Sequence, residues 1–146
     1  MLGPTYETLE IMQRQGVSIS SAGVIMSLPR LPEGLHPGYE TMGVAVVGVG
    51  ISNPSGAVPS GLVIRLESVN ATGTVEATRD VTFGAVAVGN FSTITIEPFY
   101  VAIGNMLRVR VQTAVGSGLT ADVTVFVKYH GKPVPEQRQV IGVANV

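Results

Sequence analysis

The two histidines, His36 and His130, are the side chains best suited to ligate a metal or shuttle a proton near neutral pH. His36 stands between Leu35 and Pro37, and His130 follows Tyr129 at the end of an alternating apolar run. A cupin-type metal centre needs clustered histidines plus a carboxylate, and these two are isolated in sequence. They read as surface or interface imidazoles, so no metal and no cofactor is expected. The carboxylates Glu67, Glu76, Asp80 and Asp122 fall on solvent-type faces of alternating segments. A glycosidase needs two carboxyls with one in apolar surroundings, a setting these positions do not suggest. No serine stands in a Gly-x-Ser-x-Gly elbow, and neither Lys128 nor Lys132 closes a phosphate loop. Gly48-Val49-Gly50 lacks the third glycine and following helix of a dinucleotide site. Small residues admitting a close sheet contact explain it better. No catalytic residue emerges, and the chain is not expected to be an enzyme.

Three arginines remain as interaction candidates. Arg79 lies in phase with Val75, Ala77, Val81 and Phe83, an apolar face on which a guanidinium needs a partner. It either pairs across an interface or is turned outward by a bulge near Asp80. Arg108 and Arg110, two apart on one strand face, form a small basic stripe that could meet a carboxylate partner or simply face solvent.

Composition narrows the classes further. The chain has 146 residues, 13% of them charged against the usual 25% or so. Nine basic and ten acidic residues on a folded surface of roughly 7,000 Å² amount to about one charge per 370 Å², around half the ordinary density. Charge keeps free monomers apart, and interfaces are depleted in Lys, Glu and Asp. Burial of much of this surface against copies or a larger partner accounts for the scarcity better than Ser, Thr, Asn and Gln alone. A net charge of −1 provides no footprint for nucleic acid or an anionic membrane. Cysteine is absent, which excludes disulfides, Cys-ligated zinc, iron–sulfur clusters and a thiol nucleophile. Without Trp and with few Tyr and Phe, a glycan-binding module lacks aromatic platforms. Glu7, Glu10 and Arg14 interrupt the stretch where a secretory leader needs an apolar core, so a cytoplasmic origin is expected. The longest apolar run, Gly43 to Ile51, falls far short of the roughly 20 residues of a membrane helix.

The elements that carry these residues divide near residue 40. Thr5 as N-cap, Glu7 in the first turn and Gly16 as a stop favour a short helix from Thr5 to Gln15, with Tyr6, Leu9 and Met12 on one stripe. Pro29, Pro32 and Pro37 then impose an extended connection. Residues 1–38 therefore read as an N-terminal arm that docks elsewhere through Tyr6, Leu9, Ile11, Met12 and Arg14. Beyond it the period is two. Alternating segments cover Met42–Ser52, Gly61–Val69, Thr74–Phe83, Phe91–Ile96, Phe99–Ile103, Met106–Val115 and Leu119–Tyr129, separated by Gly and Asn turns. Val and Thr dominate them. The expectation is an all-β, antiparallel, jelly-roll-like β-sandwich over residues 39–146, with an extended N-terminal arm carrying at most one short helix. The apolar end, VIGVANV, either closes its own sheet or adds a strand to a neighbour.

The arm MLGPTYETLEIMQRQGVSIS…LPRLPEGLHPG, followed by a compact Val/Thr/Gly-rich β-domain with few charges and no cysteine, resembles the decoration (cement) proteins of tailed-bacteriophage capsids, most of all those of thermophilic phages. The resemblance covers the whole chain in its organisation and transfers no residue roles. It implies a homotrimer on the virion surface, contacting the major capsid protein and neighbouring decoration subunits, made in the host cytoplasm and without catalysis. A phage tail or fibre adaptor shares the same composition.

Overall fold

A computed structural model describes residues 6–28 and 39–133. The described residues form eight strands: β1 (Tyr6–Ser18), β2 (Gly23–Leu28), β3 (Tyr39–Ser52), β4 (Leu62–Val69), β5 (Val75–Phe83), β6 (Ser92–Val101), β7 (Met106–Thr113) and β8 (Thr120–Pro133). They build two four-stranded sheets, ordered β1-β8-β3-β6 and β2-β7-β4-β5, with every pairing antiparallel. Successive strands cross between the sheets except at β4–β5, the only hairpin of sequence neighbours among the described residues. This strand order is that of an eight-stranded jelly roll.

Alternation builds the core. On β8, Ala121, Val123, Val125, Val127 and Tyr129 are buried and point inward. Leu62, Ile64 and Leu66 of β4 and Leu107, Val109 and Val111 of β7 face them from the other sheet. Each such side chain contributes roughly 1.5–3 kcal/mol on leaving water, and β-branched residues suit the pleated surface. The run from Gly43 to Ile51 is the strand its composition suggests, with Val44, Val46, Val49 and Ile51 buried inward. Gly48 and Gly50 sit where the side chains of Phe126 and Thr93 lie across β3. A Cβ on Gly48 would stand 3.3 Å from the Phe126 ring, and one on Gly50 3.0 Å from the Thr93 hydroxyl.

The N-terminal region departs from expectation. No helix forms over residues 6–15, the described part of the expected helix; from Tyr6 onward the chain is β1, paired with β8 from Tyr6↔Gly131 to Ser18↔Thr120. Nor do residues 6–28 form a detached arm, because β1 and β2 occupy one edge of each sheet, and Val17, Ile19 and Ile25 belong to the core. A helix of two or three turns is marginal in water, whereas the open edge of β8 supplies a ladder of backbone partners along the whole segment. Gly16, expected as a helix stop, instead takes φ +64° at a bulge between Arg14 and Val17. The predicted pieces 91–96 and 99–103 merge into the one edge strand β6, which accommodates Pro98. The proline-rich connection 29–38 and the C-terminal VIGVANV lie outside the described residues.

One end of the sandwich is tied by loop-to-loop bonds. Ile19 N–H donates to Leu119 O, Val115 N–H to Ile19 O, and Val58 and Val86 exchange backbone bonds. At the other end Asn70 organises the β4–β5 turn. Its side-chain oxygen accepts from the Thr72 and Thr74 amides, and its amide donates to Glu76.

Candidate interaction surface

The register places side chains on two outer faces of opposite character. On the β1-β8-β3-β6 sheet, one outward row runs Leu9, Lys128, Ala45, Tyr100. The next is Ile11, Phe126, Gly48, Thr95, and the third Gln13, Thr124, Gly50, Thr93. The glycines flatten the centre of this face, while Leu9, Ile11 and Tyr100 are 55%, 62% and 65% exposed. Ala45, also directed outward, is almost wholly covered. Further exposed apolar side chains stand on loops: Val88 and Phe91 before β6, and Ile103 before β7.

The outer face of the β2-β7-β4-β5 sheet carries all three salt bridges found among the described residues. Arg65 holds Asp80 directly across from it with bonds of 2.7 and 3.1 Å. The hydrogen bond from Arg65 holds the Asp80 carboxyl below its ordinary range. Arg108 Nε donates to Glu67 at 2.7 Å, and Arg110 lies 3.7 Å from the second Glu67 oxygen. Glu67 is only 3% exposed, so the expectation of a solvated carboxylate is corrected; it is buried with Arg108 and Arg110 at its two oxygens. Arg110 Nε is buried without a partner among the described residues. Glu76 is likewise engaged: hydrogen bonds from Asn105 and then Asn70 lower its carboxyl below the usual value.

The residues singled out from sequence thus scatter. Leu9 and Ile11 lie together on the apolar outer face. Met12 points the other way and packs, partly buried, against the core; period two, not three, governs this segment. Tyr6 contributes its backbone to the pairing with Gly131. Arg14 reaches across the open edge of the sandwich to donate to the Ile25 carbonyl at 2.7 Å, beside a cleft of about 320 Å³ between β1 and β2. Arg79 is opposite Leu66 and donates to the Glu97 carbonyl of β6, clasping the other edge. No register shift occurs at Asp80, so the bulge considered there is absent. Arg108 and Arg110 share a face as expected but are turned to Glu67. Phe126 and Tyr100 were not singled out, although Phe126 stands out of phase among Thr124, Asp122 and Lys128, which is the signal of an apolar outer face.

Among the described residues no group of three His, Asp or Glu side chains could hold a metal ion, and no helix is long and apolar enough to cross a membrane.

No protein-family model and no curated protein matches the sequence. Among solved structures, the chain is similar to the protein of T=1 particles derived from infectious bursal virus, with TM-score 0.44 and 11% identity over 89% of this chain and 36% of that one. The Gx strain of infectious bursal disease virus is matched with TM-score 0.43 and 9% identity over 97% of this chain and 45% of that chain. A protein of the Bacillus endospore appendages, disulfide-linked pili, is matched with TM-score 0.30 and 12% identity, over 91% and 93% of the two chains. The chain thus spans little more than a third of the first of these. The jelly-roll assignment rests on strand order and register.

Proposed function

We propose that the chain is a non-enzymatic structural protein of a tailed-phage virion, held as an oligomer, a homotrimer, on the outer surface of the capsid. Its partners are the major capsid protein and neighbouring copies. The jelly roll serves shells, lectins and cupins alike, so the fold does not choose among them. What supports the reading is the flat outer face of the first sheet, where Leu9, Ile11, Phe126 and Tyr100 surround small residues. Exposed Leu9, Ile11 and Tyr100 beside Lys128 and a row of threonines form a mixed surface with apolar anchors, which on a charge-poor chain fits burial against a partner. With residues 6–28 engaged in the sandwich, contact with the shell falls to this face rather than to a strap of 38 residues.

The test mixes the full-length protein with expanded capsids of the virus that encodes it and measures co-sedimentation and shell melting. Saturable binding with a raised melting temperature is expected, and loss of both in the variant carrying Leu9→Glu and Tyr100→Glu, with unchanged circular dichroism. A protein that is monomeric and leaves the shells unaltered overturns the proposal.

A further inference from the structure

The two edges of the sandwich are finished differently. At β5/β6, Arg79 ties one sheet to the other through the Glu97 carbonyl, and Pro98 interrupts the donors of β6. At β1/β2 the strand β1 runs without proline from Tyr6 to the bulge at Gly16, and β8 pairs with only one of its sides. A bare edge is a template for another strand.

Inward-pointing charge on an edge strand ordinarily blocks such pairing, because it would be sealed between the sheets without a partner. β1 carries two such charges. Glu10 lies opposite Val127 and Arg14 opposite Val123, both core-facing positions, so both side chains are on the inner side. The Glu10 carboxylate is close enough to Tyr129 to help burial raise that phenol's pKa, and it has no hydrogen-bond partner among the described residues. Arg14 commits Nη1 to the Ile25 carbonyl, which leaves the rest of its guanidinium at the edge. The two charges are opposite in sign and four residues apart, with Met12 midway.

We infer that β1 pairs antiparallel with β1 of a second copy about a two-fold axis at Met12, placing Glu10 of each chain opposite Arg14 of the other. This rests on the reading of the chain as an assembly subunit and supplies the joint between neighbouring oligomers. Centring the axis on residue 10 instead would set Glu10 against Glu10, and centring it on residue 11 would set Glu10 against Met12. Only the Met12 axis satisfies both inward charges. In that register Ile11 meets Gln13 on the outer side, and the sheet becomes continuous across eight strands. The regular ladder is short, residues 10–14 of each chain, because the Gly16 bulge ends it. A ladder of this length suits a contact repeated over a shell better than a free dimer.

The absence of cysteine permits a direct test. Paired antiparallel residues have Cα atoms about 4.5–5.5 Å apart, within disulfide range. Full-length Met12→Cys is expected to oxidise to a covalent dimer, faster than Ile11→Cys or Gln13→Cys. Adding Glu10→Arg should slow that cross-linking by about tenfold, and adding Arg14→Glu to the pair should restore it, since the charges are then exchanged. Circular dichroism and thermal melting confirm that each variant is folded. Faster cross-linking at residue 11, or a rate indifferent to Glu10→Arg, overturns the inference. If oligomers and shell binding persist in that case, the joint alone falls; if the chain is also monomeric and leaves shells unaltered, the assembly reading falls with it.

Discussion

The two outer faces of this sandwich solve opposite problems with the same backbone. On β2-β7-β4-β5, Asp80–Arg65 and Glu67–Arg108 saturate most of each other's charge, leaving Arg110 Nε as the one buried side-chain polar atom without a partner among the described residues. On β1-β8-β3-β6, Leu9, Ile11 and Tyr100 stand exposed among glycines, threonines and Lys128, and covering those three apolar side chains would gain free energy. Charge is not gathered on one sheet, since β4, β5 and β7 carry seven charged residues and β1, β3, β6 and β8 carry eight; what sets the first group apart is that three salt bridges join its charges to one another. A sparse overall composition can conceal one well-satisfied polar face and one surface left for a neighbour.

The contrast can be broken at several strengths. Deleting residues 1–28 removes an edge strand from each face together with Val17, Ile19 and Ile25, and cooperative thermal unfolding should be lost altogether. Glu67→Ala strips the buried carboxylate from Arg108 and Arg110 and should cost about 3 kcal/mol in urea titrations. Arg110→Met removes the unpaired Nε and should shift stability by less than about 1 kcal/mol, which separates the tight half of this cluster from its loose half. On the other face, Leu9→Ser with Ile11→Ser should leave the stability of the isolated chain within about 0.5 kcal/mol while abolishing co-sedimentation with capsids.

The smallest effect concerns pH. Because the folded state depresses the Asp80 carboxyl, its pairing with Arg65 stabilises the fold above the ordinary carboxylate range and is lost as pH falls through the lower folded value. Asp80→Asn should therefore be less stable than the parent at neutral pH by about 0.5 kcal/mol, the exposure of the pair keeping the figure small. The gap should begin to narrow as pH falls to about 4 and close only below the depressed Asp80 value, as followed by thermal melting across a pH series.

Beyond residue 40 the strands were legible because a half-buried strand writes its orientation into every second residue. Leu62, Ile64 and Leu66 could face only a core, and the Gly and Asn turns set the spacing. Neither the buried state of Glu67 nor the tie from Arg79 to Glu97 was legible, since both depend on strands distant in sequence.

Residues 6–18 show where local pattern and tertiary structure part. Tyr6, Leu9 and Met12 fit a helical stripe, and Leu9 and Ile11 fit a strand face equally well, so spacing alone could not choose. The sequence by itself determined an all-β chain with too little charge to clothe it. Strand order, the sealing of one face by arginine–carboxylate pairs and the recruitment of β1 were decided only when β8 offered an open edge. Hydrogen bonds along that edge outweigh a helix too short to sustain itself in water.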